Sequence, residues 1–245
     1  SNHRIPQEEL SIPWIPIPSA EVAAQCAHAL SRIQRLWPTP AMYKDVSSLY
    51  NEYLTSLREL SLSEDLTTEN TLEVLRAVAI HCRQVETVDI CARTDEIVEQ
   101  LITLATFNRR QSSLSLCQAS ALTDAALVAI AKYCPRLTRI IIRNSPLISD
   151  AGIIAISSGS PNISTILLNK CPQLSNASVL AISENCLKLA IFMLQQCQQV
   201  TEASLIPFVL SCRHLSFMYI SPKNMSEATK SLLLAQRREQ PTKYV

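Results

Sequence analysis

Seven stretches of this chain open on one pattern, and the spacing between them leaves few folds available. They begin at Leu57, Val85, Gln111, Leu137, Ile163, Leu189 and Leu215, in steps of roughly 26 residues, the last five identical and the first slightly longer. The units stand as LTRIIIRNSPLISDAGIIAI from Leu137, ISTILLNKCPQLSNASVLAI from Ile163 and LAIFMLQQCQQVTEASLIPF from Leu189, with a poorer copy, QSSLSLCQASALTDAALVAI, from Gln111. A unit this short cannot enclose a core of its own. It buries its apolar face only against the units before and after it, so a fixed period in this range specifies a solenoid, a fold that presents surface.

Each unit divides in two. A period-2 stretch such as Leu137-x-x-Ile140-x-Ile142 predicts a parallel strand with its apolar side chains on one face. A Ser or Thr followed by an acid or amide (Thr123-Asp124, Ser149-Asp150, Ser175-Asn176, Thr201-Glu202) predicts a helix N-cap, whose side-chain oxygen accepts from an amide left unpaired in the first turn. Behind the caps, Leu127/Ile130, Ile153/Ile156, Val179/Ile182 and Leu205/Phe208 lie three apart, on one helical face turned towards the strands. The expected fold class is α/β: a right-handed horseshoe of about seven repeats, with parallel strands on the concave side and helices on the convex side.

The cysteines refine the pattern. Cys171 and Cys197 stand at the position just past the strand of their units, and Cys82, Cys134, Cys186 and Cys212 stand shortly before the next unit's first apolar position. With Cys134-Pro135-Arg136-Leu137 and the helix starts above, residues 55–236 resemble the cysteine-containing class of leucine-rich repeats, best known from the recognition domains of F-box proteins. The resemblance implies a protein-recognition role, and by analogy substrate recognition in a ubiquitin-ligase assembly with its adaptor. Departures are Ala119 and Ser145 at the post-strand position, Asn108 and Ser160 at the boundary position, and ragged first units. The start IPQEEL is faintly similar to the opening of an F-box, but Pro13, Pro16 and Pro18 interrupt the segment where that motif's helices would run.

Composition agrees with a buried solenoid core: 47% hydrophobic and 18% charged residues, with a net charge of +1 that gives no general attraction to nucleic acid or an anionic membrane. No apolar run approaches the roughly 18 residues of a membrane span, and no secretory signal opens the chain. Nine cysteines without a CxxC pair read as small, soft packing residues kept reduced, which favours the cytoplasm or nucleus. Sequons at Asn162, Asn176 and Asn224 pull the other way, although Asn162 and Asn176 read as turn and cap residues. Residues 1–18 form a proline-rich arm or linker, and residues 19–54 a helical N-terminal cap or degenerate repeat, with SAEVAAQCAHALSRIQRLW as one helix. Ile33-x-x-Leu36, just under one period before Leu57, offers the second of these readings. Ser226-Glu227 begins a closing helix, and residues 237–245 form a basic tail.

Enzymatic chemistry finds little purchase. Only Gly152 and Gly159 are present, so no glycine-rich loop can cradle a phosphate, and no cofactor is expected. The histidines His3, His28, His81 and His214 share no ligand spacing, and His81 and His214 stand at opposite ends of the array, so no metal site is expected. The informative surface is the concave sheet. Its middle column runs Ser61, Asp89, Ser115, Ile141, Leu167, Met193 and Tyr219, losing polarity after the third strand. The column before it ends Arg139, Thr165, Ile191 and Phe217, and the column after it contains Arg143, Asn169 and Gln195. Ile141, Leu167, Met193, Tyr219, Ile191 and Phe217 are therefore expected to form one exposed apolar patch edged by Arg139, Arg143, Asn169 and Gln195, the composition of a protein interface. The chain's own arm or tail, or a second copy, are the other candidates to cover it. Expected function is recognition of a protein partner on this face, without catalysis; a structural or assembly subunit, or a microbial effector unrelated to ubiquitin, is the alternative.

Overall fold

The structure, a computed structural model, describes residues 35–36, 57–62, 64–221, 226 and 243–244. After the short strand β1 (Arg35–Leu36), strands and helices alternate: β2 (Glu59–Ser61), α1 (Thr68–His81), β3 (Thr87–Cys91), α2 (Asp95–Phe107), β4 (Ser113–Cys117), α3 (Asp124–Tyr133), β5 (Arg139–Arg143), α4 (Asp150–Gly159), β6 (Thr165–Asn169), α5 (Asn176–Asn185), β7 (Ile191–Gln195), α6 (Glu202–Ser211) and β8 (Phe217–Ile220). A short β9 (Lys243–Tyr244) completes one parallel sheet whose spatial order is its sequence order. This is the α/β repeat solenoid that the period requires.

Alternation decides which side chains enter the core. Leu60, Val88, Leu114, Ile140, Ile166, Phe192 and Met218 form one inward column and Leu62, Ile90, Leu116, Ile142, Leu168, Leu194 and Ile220 a second, none more than 6% exposed. Leu127, Ile130, Ile153, Ile156, Val179, Ile182, Leu205 and Phe208 meet them from the helices and are equally buried; Phe208 stacks on Phe192 with ring centroids 4.5 Å apart. The two boundary departures from the cysteine pattern, Asn108 and Ser160, are met by hydrogen bonds, whereas Ser145 Oγ at the post-strand position is buried without a partner among the described residues. Buried Asn108 accepts from Val85 N at 3.2 Å, Ser160 Oγ donates to Cys134 O at 3.1 Å, and Gln111 accepts from Cys134 Sγ at 3.0 Å.

Successive helices are tied by a ladder. Asp124 accepts from Ser149 N, Ser149 Oγ and Gly152 N at 2.9, 2.5 and 3.1 Å; Asp150 accepts from Ser175 N, Ser175 Oγ and Ser178 N at 2.8, 2.5 and 3.2 Å. Asn176 repeats the arrangement towards Thr201 and Ser204, and Glu202 towards Ser226. At Asp124, Asp150 and Asn176 the residue after the N-cap thus meets the start of the next repeat's helix, supplying a negative or dipolar acceptor at its positive end. Both glycines lie on α4 against α3: a Cβ on Gly152 would stand 2.4 Å from Asp124 Oδ1, and one on Gly159 2.8 Å from Ala131 Cβ.

At the ends, Arg35 pairs with Glu59, just under one period further on, so the helix expected through Trp37 has already given way to a strand at Arg35. Lys243 pairs with Phe217, extending the sheet by one further period into the expected tail. The arm, the remainder of the N-terminal cap and the closing helix beyond Ser226 lie outside the described residues.

Candidate functional site

The outward residues of β5 to β8 come into register as the alternation requires. Ile141, Leu167, Met193 and Tyr219 pair in one row across the strands, Arg139, Thr165, Ile191 and Phe217 in a second, and Arg143, Asn169 and Gln195 in a third. With neighbouring strands about 4.8 Å apart, the middle row runs about 14 Å from Ile141 to Tyr219. Leu167, Met193, Tyr219, Ile191 and Phe217 are half-buried, and Arg139 and Arg143 are exposed. Ile141 departs from the expectation: it is only 5% exposed. Long side chains at Arg139 and Arg143 flank it on its own strand, and Leu167 stands beside it in the row, so it forms the floor of the patch rather than its open surface.

Asn169 Nδ2 donates to Gln195 Oε1 at 2.8 Å, fixing both amides on the face. The second acceptor position, Asn169 Oδ1, is buried without a hydrogen-bond partner among the described residues. Past the strand ends, Gln118, Asn144, Lys170 and Gln196 adopt left-handed backbone, φ 42°, 57°, 55° and 56°, at one equivalent turn in four successive repeats. Those turns and the sheet edge border a groove of about 1110 Å³ lined by Asn144, Pro146, Lys170, Pro172, Gln195, Gln196, Gln198, Tyr219 and their neighbours. Tyr219 and Gln195 belong to both features, so patch and groove are continuous.

The two halves of the sheet differ in charge management. On the N-terminal half, Arg58 pairs with Glu86 at 2.6 Å, and Arg93 donates to Gln118 Oε1 and Glu64 O at 2.6 and 2.7 Å. On β5 to β8 and the turns that follow them there is no Asp or Glu among the described residues, while Arg139, Arg143 and Lys170 stand exposed without an ion-pair partner among those residues. None of the eight described cysteines is in a disulfide. Burial pushes the Cys82, Cys134 and Cys186 thiols up to about 12 and Cys91 to about 11, opposed at Cys82 by Arg83 and at Cys91 by Arg93, which suits packing rather than nucleophilic use. Among the described residues no three His, Cys, Asp or Glu side chains cluster as a metal site, and no helix is long and apolar enough to cross a membrane.

Sequence reasoning missed two features. The groove residues Asn144, Lys170, Gln196 and Gln198 follow the strands, where period-2 reading stops; their signal was the recurrence, once per repeat, of polar residues after each strand. The most exposed apolar side chains lie on the helical side and its turns, with Val128, Ile154 and Leu180 in equivalent positions at 52%, 40% and 36% exposure. Each follows a buried core residue by one position. Packed helices stand about 8–10 Å apart against about 4.8 Å for strands, so this line is more dilute than the rows on the sheet.

No family model and no curated protein sequence matches the chain. Among solved structures it is similar to a chain in the crystal structure of the Rad7 and Elc1 complex in yeast, with a TM-score of 0.65 and 15% sequence identity. The alignment covers 88% of this chain and 63% of that one, so this chain spans less than two thirds of its neighbour's length. At that identity the likeness is one of fold: this chain shares the α/β repeat architecture of a protein crystallised in a complex.

Proposed function

We propose that this chain is a non-enzymatic recognition module that binds another protein across the outward face of β5 to β8. The observation that carries the reading is the register of Leu167, Met193 and Tyr219 beside Ile191 and Phe217, a half-buried apolar field with polar edges that opens into the groove. Large anchors inside a polar rim are where binding energy concentrates in protein interfaces. The cysteine-containing repeat pattern supports a finer role, substrate recognition in a ubiquitin-ligase assembly in the cytoplasm or nucleus. A structural neighbour found in a two-protein complex is compatible with that role, though fold alone does not fix function.

Affinity isolation with the intact chain tests the reading. Met193→Asp and Tyr219→Asp should each keep a cooperative melt and lose roughly 2 kcal/mol or more of affinity for the co-purifying partner, while Ser115→Asn, on the polar half of the sheet, should bind like the parent. Undiminished capture by both patch variants overturns the assignment. If Val128→Asp and Ile154→Asp then abolish capture, the helical side is the docking surface. Co-purification of a ligase adaptor would support the finer role, and a constant stoichiometric complex without one an assembly subunit.

A further inference from the structure

The charges around the patch say what kind of segment it takes. Resting on the recognition role above, we propose that β5 to β8 bind an extended acidic segment of the partner, with carboxylates at Arg139, Arg143 and Lys170 and an apolar anchor against Met193 and Tyr219. Three observations converge on this. The cations of this half have no ion-pair partner among the described residues, whereas Arg58 and Arg93 of the other half are held by Glu86, Gln118 and Glu64. Among the described residues no carboxylate stands on these strands or their following turns to neutralise the cations. In a chain of net charge +1, this concentration is local rather than a reflection of overall basicity. Complementary charge beside an apolar field selects a partner and its orientation, because a like-charged or neutral segment leaves the cations unpaired on contact.

Spacing sets the form of the segment. Arg139 and Arg143 bracket one strand, about 13 Å apart, and Tyr219, three strands across and two positions along from Arg143, lies about 16 Å from it. An extended chain covers about 3.3–3.6 Å per residue, so one running obliquely across the strands places its carboxylate about four to five residues from its anchor. The unpartnered Asn169 Oδ1 and the amide-rich groove beside it suit the unpaired backbone N–H and C=O groups that an extended segment carries.

The test is selection of a phage-displayed random dodecapeptide library on the intact protein at low salt, followed by binding of synthetic copies of the enriched peptides. We expect Asp or Glu about four to five residues from an aromatic or aliphatic anchor. A synthetic copy should weaken at least tenfold when its acids become amides, when the protein carries Arg139→Glu with Arg143→Glu, or when salt is raised to about 0.5 M, where charges are screened within a few ångströms. Circular dichroism of the charge-reversed protein should match the parent, since both arginines are exposed. Peptides that Tyr219→Asp abolishes, but that carry no acids and ignore charge reversal, would overturn this inference and leave the recognition face standing. Selection that yields no peptide sensitive to either change would overturn both. Tighter binding of a single-stranded oligouridylate than of the best peptide would reassign the cations to nucleic acid.

Discussion

Replacing Asp150 with Ala removes a connection between two repeats while touching no strand and no core side chain. The carboxylate accepts from Ser175 N at 2.8 Å, Ser175 Oγ at 2.5 Å and Ser178 N at 3.2 Å. Ser175 is half-buried and its groups can turn to water, but Ser178 is fully buried and its amide loses its partner outright. An unsatisfied buried amide costs about 1–3 kcal/mol, and removal of an anionic acceptor at a helix N-terminus adds about 0.3–1 kcal/mol. Asp150→Ala should therefore cost about 2–3 kcal/mol. Asp150→Asn is the informative partner, because Asn176 already fills the same role one repeat later. There an amide oxygen accepts from Thr201 N at 2.8 Å and Ser204 Oγ at 2.9 Å, and the amide nitrogen donates to Thr201 Oγ1 at 2.8 Å. The asparagine variant keeps the oxygen that both Ser175 N and Ser178 N use, turns the third bond around, and should lose only the charge effect, under about 1 kcal/mol. Urea unfolding at neutral pH measures both, as shifts in midpoint at constant slope. An alanine variant within about 0.5 kcal/mol of the parent, roughly the scatter of a surface substitution, would show that the ladder does not hold the repeats together. Equal losses for alanine and asparagine would show that charge, rather than acceptor geometry, is what the site supplies.

Gly159→Ala should destabilise despite alanine's advantage of about 1 kcal/mol in helices, because its Cβ would stand 3.0 Å from the Ala131 backbone oxygen as well as 2.8 Å from Ala131 Cβ; a raised melting temperature would refute close packing of α3 on α4. Ile166→Asp, at a side chain 2% exposed in the middle of the array, should unfold several repeats, and Ser61→Asn on the outward face should be nearly silent; equal thermal shifts would mean the strand phase is wrong. The thiols of Cys82, Cys134 and Cys186 are pushed up to about 12 in the folded chain from an ordinary 9.0. Below about pH 9 both states keep these protons and stability does not depend on them. Above it only the unfolded state ionises, so stability should fall by up to about 1.4 kcal/mol per pH unit per thiol. Cys186→Ala should flatten that fall in urea titrations between about pH 8 and 10.5, and an unchanged slope would count against the burial argument.

The repeat phase, the strand faces and the caps at Thr123, Ser149 and Ser175 were legible in the residues alone, because each depends on neighbours within a few positions; Thr201, expected to cap in the same way, makes no side-chain cap bond, and its hydroxyl instead accepts from Asn176 Nδ2 of the preceding repeat. Alternation at Leu137-x-x-Ile140-x-Ile142 dictates which side chains point inward, and the Ser149 hydroxyl reaches an amide of the first turn of its own helix. The rows Ile141, Leu167, Met193, Tyr219 and Arg143, Asn169, Gln195 follow from the same local rule once the period is known. What the tertiary structure decided lies across the repeats. Asp150 reads in sequence as a first-turn acid of α4, yet the groups it satisfies are 25 and 28 residues away. Ile141 has the pattern of an exposed residue and is buried by its flanking side chains. Arg58 and Arg143 look alike as residue types, but among the described residues only the former has a carboxylate paired with it, supplied by Glu86 from the next repeat. Periodicity determines which positions become neighbours; whether two neighbours touch, pair or shield one another depends on side-chain lengths and directions in three dimensions, and a one-dimensional pattern carries no distances.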